Sequence, residues 1–234
     1  MPKKFGFPRN EASRRDKILQ HEIVTQWGRD HKTRNDIIDN NPFPVSYNLL
    51  VAPEAFNTTS VWVPASDGFA TANTDANPLN GGVDADTLVD SNAAGFSALR
   101  QSLTPPTVHD DEHYIFSVFL KKTSGAASFP LINLNVNNTG GDYGAVIDTN
   151  NGNAADWQSS VGSIGFGTED YGDYWRAYVI GQNNNSGDVL RCDIFPAINS
   201  VANGTHLDSH VGDVVGWGAQ LHVGTISLRY IQQD

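Results

Sequence analysis

The feature that most constrains this chain is a strict alternation of apolar and polar side chains in several short segments. In segment 114–121, the apolar residues Tyr114, Phe116, Val118 and Leu120 occupy every second position. Alternate residues of a β-strand point to the same face of a sheet, so a period of two predicts strands with one face toward a core. The same alternation predicts further inward-facing sets: Ile132, Leu134 and Val136; Trp175, Ala177 and Val179; Leu190, Cys192 and Ile194; and Val215, Trp217, Ala219 and Leu221.

Turn-forming residues separate these segments. The chain contains 22 Gly and 22 Asn among its 234 residues, and they gather in clusters such as 137–141 and 183–187. Gly and Asn tolerate the left-handed backbone of tight turns, which marks these clusters as loops between short strands. Many short strands without alternating helices predict a mainly β fold, an antiparallel β-sandwich or jelly roll.

The N-terminal region has a different pattern. Residues 10–39 form the one sustained helical stretch, which ends at the Pro-rich segment 42–44. The sequence therefore predicts two parts, a basic N-terminal α-helical arm over 1–44 and a jelly-roll sandwich over 45–234. The narrow apolar stripe of the arm either folds back on its own sandwich or, as we favour, docks on another subunit. The docking residues would be Ile18, Leu19, Ile23 and Trp27, with Arg14 and Arg15 beside them.

Charge separates the same two parts. Residues 1–41 carry nine Lys/Arg and six Asp/Glu, whereas residues 42–234 carry six and twenty, which gives +3 and −14 and sums to the net charge of −11. An acidic sandwich without a basic groove argues against binding to nucleic acid. No apolar run of about 18 residues is present, so we expect no membrane insertion. The first ten residues lack the apolar core of a signal peptide, so we expect no export signal.

A set of short motifs follows in order from residue 48 to residue 231. The motifs are Asn48-Leu49-Leu50-Val51-Ala52-Pro53-Glu54-Ala55-Phe56 with Trp62, Ala85-Asp86-Thr87-Leu88-Val89-Asp90, Tyr114 to Lys121, Tyr174-Trp175-Arg176, Gly212-Asp213, Trp217-Gly218-Ala219-Gln220-Leu221, Gly224 and Tyr230-Ile231. Together they resemble the carbohydrate-binding-module-like jelly roll of bacteriophage tail, fibre and other virion proteins. The sequence departs from that pattern at His222, where the family usually has an acidic residue, and the N-terminal arm lies outside the resemblance.

The resemblance implies a non-enzymatic bacteriophage virion structural protein, assembled in the host cytoplasm. Its arm would dock on other virion proteins, and its jelly roll would face outward on a tail fibre, a baseplate appendage or a capsid decoration. Virion appendages are arranged by rotation, so we expect a homo-oligomer, with a trimer as the first expectation. The alternatives are an adhesin that binds a host surface glycan and a glycan hydrolase.

One segment has the side chains of a sugar-binding site. Flat aromatic rings stack on the apolar faces of sugars while neighbouring carboxylates accept hydrogen bonds from sugar hydroxyls. The residues with this potential are Trp157, Tyr171, Tyr174, Asp170 and Asp173. A solvent-facing turn or a subunit contact is the alternative. Acidic residues this close together are poorly placed to flank a glycosidic bond, and no catalytic motif is present, so we expect no enzyme activity.

No metal site is expected, although the sequence contains two patterns of residue types that can bind metals. Asp67, Asp75, Asp84, Asp86 and Asp90 form an oxygen-rich segment that could bind Ca²⁺, but the segment lacks the glycine and the closing glutamate of an EF-hand loop. Two pairs of histidines are spaced by four, His109 with His113 and His206 with His210. They precede predicted strands, so the helical geometry that would bring each pair to one metal is absent. The single Cys192 is predicted to be a buried free thiol.

Overall fold

The computed structural model describes residues 48–103, 112–124, 128–136, 141–157, 163–183, 189–198 and 210–224. The chain separates into two compact units, Met1–Val45 and Ser46–Asp234, and every described residue belongs to the second unit. The predicted arm lies outside the described residues, together with Arg14, Arg15, Ile18, Leu19, Ile23 and Trp27. The motif at Tyr230-Ile231 also lies outside them. In the described part of the chain no helix is long and apolar enough to cross a membrane.

The described residues form twelve β-strands and no helix. The strands are β1 (Val63–Ala65), β2 (Gly68–Ala76), β3 (Val83–Asp90), β4 (Ala98–Leu103), β5 (His113–Lys121), β6 (Leu131–Val136), β7 (Gly141–Ile147), β8 (Ala154–Trp157), β9 (Gly165–Tyr171), β10 (Tyr174–Gln182), β11 (Leu190–Phe195) and β12 (Gly212–Val223). They form two six-stranded sheets. The first sheet has the order β1-β4-β11-β6-β7-β8 and the second has the order β2-β3-β12-β5-β10-β9.

Every paired neighbour in both sheets is antiparallel. The predicted mainly β, antiparallel sandwich is therefore confirmed. The main core lies between the sheets and contains the inward-facing residues predicted from the alternation in β5, β6 and β11. The confirmed core residues are Tyr114, Phe116, Val118 and Leu120 of β5, Ile132, Leu134 and Val136 of β6, and Leu190, Cys192 and Ile194 of β11.

The prediction for β12 was wrong in part, because this strand contains a β-bulge. Trp217 pairs with Phe119 and Gln220 pairs with Ser117, so β12 has one more residue than β5 over this stretch. Gly218 supplies the left-handed backbone that the bulge needs, with a φ of 59°. The extra residue reverses the side-chain alternation. Ala219 and Leu221 face the main core, while Trp217 and Val215 belong to an apolar cluster on the outer face of the second sheet.

The motifs that carry the resemblance contact one another in the fold. The side-chain amide of Asn48 donates a hydrogen bond of 2.8 Å to the Ala219 carbonyl, and its oxygen accepts one of 3.0 Å from the Leu221 amide. The buried Arg176 donates a hydrogen bond of 3.1 Å to Gln220 Oε1, which joins β10 to β12. The first motif is thus tied to the motif Trp217-Gly218-Ala219-Gln220-Leu221, which lies on β12 in the interior of the second sheet.

The second sheet curves so strongly that its edge strand β2 reaches across its outer face. In sheet order, β5 and β10 are three and four strands away from β2. Nevertheless, Lys121 of β5 forms an ion pair with Asp75 of β2, and the Tyr174 hydroxyl of β10 donates a hydrogen bond to the Ala76 carbonyl. The outer apolar cluster, which includes Phe119 and Trp217, is buried near this crossing. The curvature creates a concavity on the outer face.

Candidate functional site

A cavity of about 370 Å³ opens at the concave end of the second sheet. We call it the tyrosine cavity. One wall is the turn between β9 and β10, the other is the turn between β2 and β3, and the end of β5 lies between them. Its volume is at the lower end of the range for small-ligand sites. It is lined by Asp75, Ala76, Asn77, Pro78, Leu79, Gly81, Lys121, Tyr171, Gly172, Asp173 and Tyr174.

The first wall is a two-residue hairpin loop. Tyr171 and Tyr174 are paired across the hairpin, with Gly172 and Asp173 between them. Gly172 has a φ of 68°, which glycine adopts without strain at the first loop position of this kind of turn. The half-exposed ring of Tyr171 packs edge-to-face on Phe119, with 5.1 Å between ring centroids. The loop therefore presents one partly exposed tyrosine on a fixed aromatic support.

The second wall is held by a single buried asparagine. The amide nitrogen of Asn77 donates hydrogen bonds of 2.7 Å to Asn80 Oδ1 and to Asp84 Oδ1. Its side-chain oxygen accepts hydrogen bonds of 2.9 Å from the backbone amides of Leu79 and Asn80. A buried side chain with both polar ends satisfied stabilises one conformation of the turn. This turn presents the exposed Leu79 to the cavity.

Charged and hydrogen-bonding groups lie between the two walls. A hydrogen bond from Lys121 holds the pKa of Asp75 below its ordinary value, so this carboxylate remains ionised. Asp173 is exposed at the mouth of the cavity. Burial raises the pKa of Tyr174, so its hydroxyl keeps its proton and remains a donor to Ala76. The cavity thus combines an apolar surface, two carboxylates and one ammonium group.

The structure brings together three of the five residues predicted for sugar binding and separates the other two. Tyr171, Tyr174 and Asp173 line the cavity. Asp170 lies on β9 with the opposite parity, where it pairs with Lys122 at 2.6 Å, and this hydrogen bond lowers its pKa. Trp157 lies on β8 in the other sheet and is only 8% exposed.

The sequence reasoning did not identify Lys121, Asn77 and Leu79 as cavity residues, and it considered Asp75 only as a calcium ligand. One available signal was the position of Lys121. Lys121 is the last residue of β5 and alternates with the core-facing residues of that strand. Its side chain is therefore expected on the outer face of the sheet. The distance in sequence between Asp75 and Lys121 gave no sign of their pairing.

The carboxylates of the acidic segment have separate structural partners. Asp86 is buried and accepts hydrogen bonds from the backbone amides of Asn57 and Asn73, and its burial raises its pKa. Asp90 accepts hydrogen bonds from the backbone amides of Asn92 and Ser97. No group of three or more His, Cys, Asp or Glu side chains able to hold a metal ion occurs among the described residues.

The two histidine pairs fall partly outside the described residues. His113 begins β5 and His210 precedes β12, whereas His109 and His206 are not described.

No protein-family model matches this chain, and no curated protein matches its sequence. Solved structures similar to it include three at 13–14% identity. The enzymatically active domain of tailspike protein 4 from bacteriophage CBA120 has a TM-score of 0.44 over 75% of this chain and 21% of its own. The CBM22-1 xylan-binding domain of Paenibacillus barcinonensis Xyn10C has a TM-score of 0.42 over 78% of this chain and 97% of its own.

The third structure is the Clostridium thermocellum xylanase 10B, with its CBM22-1 and GH10 modules in complex with xylohexaose. Its TM-score is 0.42 over 80% of this chain and 30% of that one. The chain therefore spans less than a third of the tailspike and xylanase chains. At these TM-scores the similarities are distant.

Proposed function

We propose that this chain is a non-enzymatic carbohydrate-binding sandwich whose ligand occupies the tyrosine cavity. The supporting observation is the convergence of the half-exposed Tyr171 with Asp75, Lys121 and Asp173 on one cavity of about 370 Å³. Sugars have apolar faces and a rim of hydroxyl groups, so they fit sites that combine an aromatic ring with a few fixed polar groups. In this proposal the sugar stacks on Tyr171, and its hydroxyls bond to the carboxylates and to Lys121.

The charges of the cavity favour a neutral sugar. Asp75 and Asp173 outnumber the single ammonium of Lys121, and an anionic ligand would meet the excess negative charge. The same groups argue against hydrolysis. A glycosidase needs one carboxylic acid with a raised pKa that can donate a proton. Here Lys121 lowers the pKa of Asp75, and Asp173 is exposed to solvent. These features support binding without turnover.

A glycan array of neutral and acidic saccharides, followed by calorimetric titration of each hit, tests the proposal. We expect Tyr171→Ala to weaken binding of a neutral hit by about tenfold or more, since truncating an aromatic anchor of a binding site costs on the order of 2 kcal/mol. The matched control is Tyr178→Ala, which removes a half-exposed tyrosine that does not line the cavity. No cofactor is proposed, so EDTA should leave binding unchanged.

Binding of a neutral hit that is equal in wild type and Tyr171→Ala would refute the proposed site. Release of reducing ends from a bound saccharide would refute the non-enzymatic role.

The finer proposal is that the sandwich belongs to a bacteriophage virion, as the ordered motifs between residues 48 and 231 imply. In this proposal the arm over 1–44 joins the protein to other virion proteins, and symmetric copies, three as the first expectation, display the sandwich outward. Deleting residues 1–41 should leave a folded sandwich that no longer joins particles. The measurement is the amount of full-length and truncated protein in purified particles. Normal incorporation of the truncated protein would contradict the role of residues 1–44 as an anchor.

A further inference from the structure

The outer face of the first sheet carries a polar network that the tyrosine cavity does not use. Its centre is Asp193 of β11, which is completely buried. Arg100 of β4 donates from Nε to Asp193 Oδ1 at 2.5 Å, and Arg191 donates from Nε to Asp193 Oδ2 at 2.9 Å. A buried carboxylate held by two guanidinium groups fixes the position of both arginine side chains.

Both arginines keep hydrogen-bonding capacity after this pairing. A guanidinium group has five N–H donors, and each arginine uses only its Nε–H in the hydrogen bond to Asp193. Within the described part of the chain, neither terminal nitrogen of Arg100 has a partner. A terminal nitrogen of Arg191 lies 3.8 Å from Asp142 Oδ1, which is beyond hydrogen-bond distance. The side chains of Arg100 and Arg191 are partly exposed, so their terminal donors are accessible to a ligand.

A buried acceptor lies beside these donors. Asn133 of β6 donates from Nδ2 to Asp142 Oδ1 at 3.0 Å and to Asp193 Oδ2 at 3.3 Å. Its Oδ1 has no hydrogen-bond partner among the described residues, although Asn133 is only 3% exposed. Buried polar atoms normally have a hydrogen-bond partner. An unpaired buried acceptor beside free donors therefore indicates that a bound molecule supplies the donor.

These groups surround a small cavity of about 50 Å³ with an aromatic rim. We call it the arginine pocket. Arg100, Arg191, Asn133 and Asp142 form its polar side, and the aromatic side consists of Phe96, Trp157 and Phe195. One buried water needs roughly 10–15 Å³ of such volume, so the pocket accommodates a group of a few heavy atoms but not a sugar ring. A carboxylate or a hydroxymethyl group has this size.

We propose that the arginine pocket is a second binding site, which takes the carboxylate of an acidic sugar such as a uronic acid. Arginine is suited to planar oxyanions because its parallel N–H groups match the two oxygens of a carboxylate. In a uronic acid, the C4 hydroxyl lies next to the carbon that carries the carboxylate, and at the non-reducing end of the ligand this hydroxyl would donate to Asn133 Oδ1.

This site is independent of the proposed function, because it lies on the other sheet and selects a charged ligand. The test titrates the full chain with a trisaccharide of galacturonic acid and with its methyl ester, which removes the charge and keeps the rest of the ligand. We expect the acid to bind about tenfold or more tightly than the ester, as charge-assisted hydrogen bonds are about twice as strong as neutral ones. Arg100→Lys keeps a cation beside Asp193 but removes the parallel N–H donors of the guanidinium group. It should weaken binding of the acidic trisaccharide by a similar factor.

Tyr171→Ala is the control and should bind the acid as wild type does. Loss of acid binding in Tyr171→Ala would place the ligand in the tyrosine cavity and overturn the second site. Equal affinity for acid and ester, no binding of the acid at millimolar concentration, or unchanged binding by folded Arg100→Lys would also overturn it. If Arg100→Lys does not fold, the Nε–H resonances of Arg100 and Arg191 in the wild type decide instead. The acid and not the ester should shift them, and unchanged resonances contradict the proposal.

Discussion

The hydroxyl of Tyr174 donates a hydrogen bond of 2.6 Å to the carbonyl oxygen of Ala76, 98 residues earlier in the chain. This bond connects β10 with the edge strand β2, which lies at the far side of the same sheet. Together with the ion pair between Asp75 and Lys121, it brings the turn after β2 toward the turn before β10. The tyrosine cavity therefore depends on contacts that hold the curvature of the sheet.

Tyr174→Phe should destabilise the sandwich by about 1–2 kcal/mol, because the Ala76 carbonyl loses its donor at a partly buried site. Urea unfolding followed by tryptophan fluorescence measures the change. The control is Tyr178→Phe, since the Tyr178 hydroxyl has no hydrogen-bond partner within the described ranges, and its effect should stay within about 0.5 kcal/mol. Equal losses of stability in the two variants would show that the bond to Ala76 contributes nothing.

Asp75 should make the stability of the sandwich depend on acid pH. Its folded pKa lies below the ordinary value of 3.8, chiefly because Lys121 donates a hydrogen bond to it. A depressed pKa means that the stabilisation is fully present above pH 3.8 and is lost as the pH falls through the folded pKa. The difference in unfolding free energy between wild type and Asp75→Asn should therefore be largest near neutral pH and shrink in acid.

Urea titrations at a series of pH values from neutral to strongly acidic measure this difference. The matched control is Asp67→Asn, which alters an exposed carboxylate immediately before β2. This variant keeps the ion pair between Asp75 and Lys121, so the loss of stability in acid that the pair causes should remain. A constant difference for Asp75→Asn across the series would mean that the ion pair with Lys121 does not stabilise the fold.

The sequence predicted the parts of the fold that local periodicity determines. Tyr114 and Phe116 were assigned to the core because alternation in a strand is a property of neighbouring residues. The same reasoning failed at Trp217, because β12 has a bulge at Gly218. Residues before the bulge and residues after it that are two positions apart therefore face opposite sides of the sheet. A glycine in a strand is compatible with either parity, so the pattern alone could not reveal the shift.

The candidate site was predictable to the same extent. Tyr171, Asp173 and Tyr174 lie close together because they belong to one hairpin turn, which is a local feature of the sequence. Lys121 joins them only through strand order and sheet curvature, which are long-range properties that no local pattern specifies. Trp157 was grouped with them by proximity in sequence, yet β8 pairs with β7 and so belongs to the opposite sheet.

Gly144 makes room for Trp157 on that opposite sheet, and Gly144→Ala should displace the ring. The two residues are paired across β7 and β8, and a Cβ at position 144 would lie 2.8 Å from Trp157 Cε3 and 3.0 Å from its Cβ. We expect a loss of about 1–3 kcal/mol, as for other cases of overpacking, and a change in tryptophan emission. Gly95→Ala is the control, because its nearest neighbour is the flexible end of the Asn92 side chain at 3.2 Å. Unchanged stability and emission in Gly144→Ala would contradict the close packing.

Cys192 should be unreactive in the folded protein. It is completely buried between the sheets, and burial raises the pKa of its thiol, so little of the reactive thiolate forms and reagents have no access to it. A colorimetric thiol reagent should therefore label native protein only as fast as the sandwich opens, whereas protein in concentrated guanidinium should react at once. Addition of urea below the unfolding midpoint should accelerate labelling, since it raises the population of open molecules. Rapid labelling of the native protein, at a rate that does not change with urea, would mean that the core around Cys192 is accessible without unfolding.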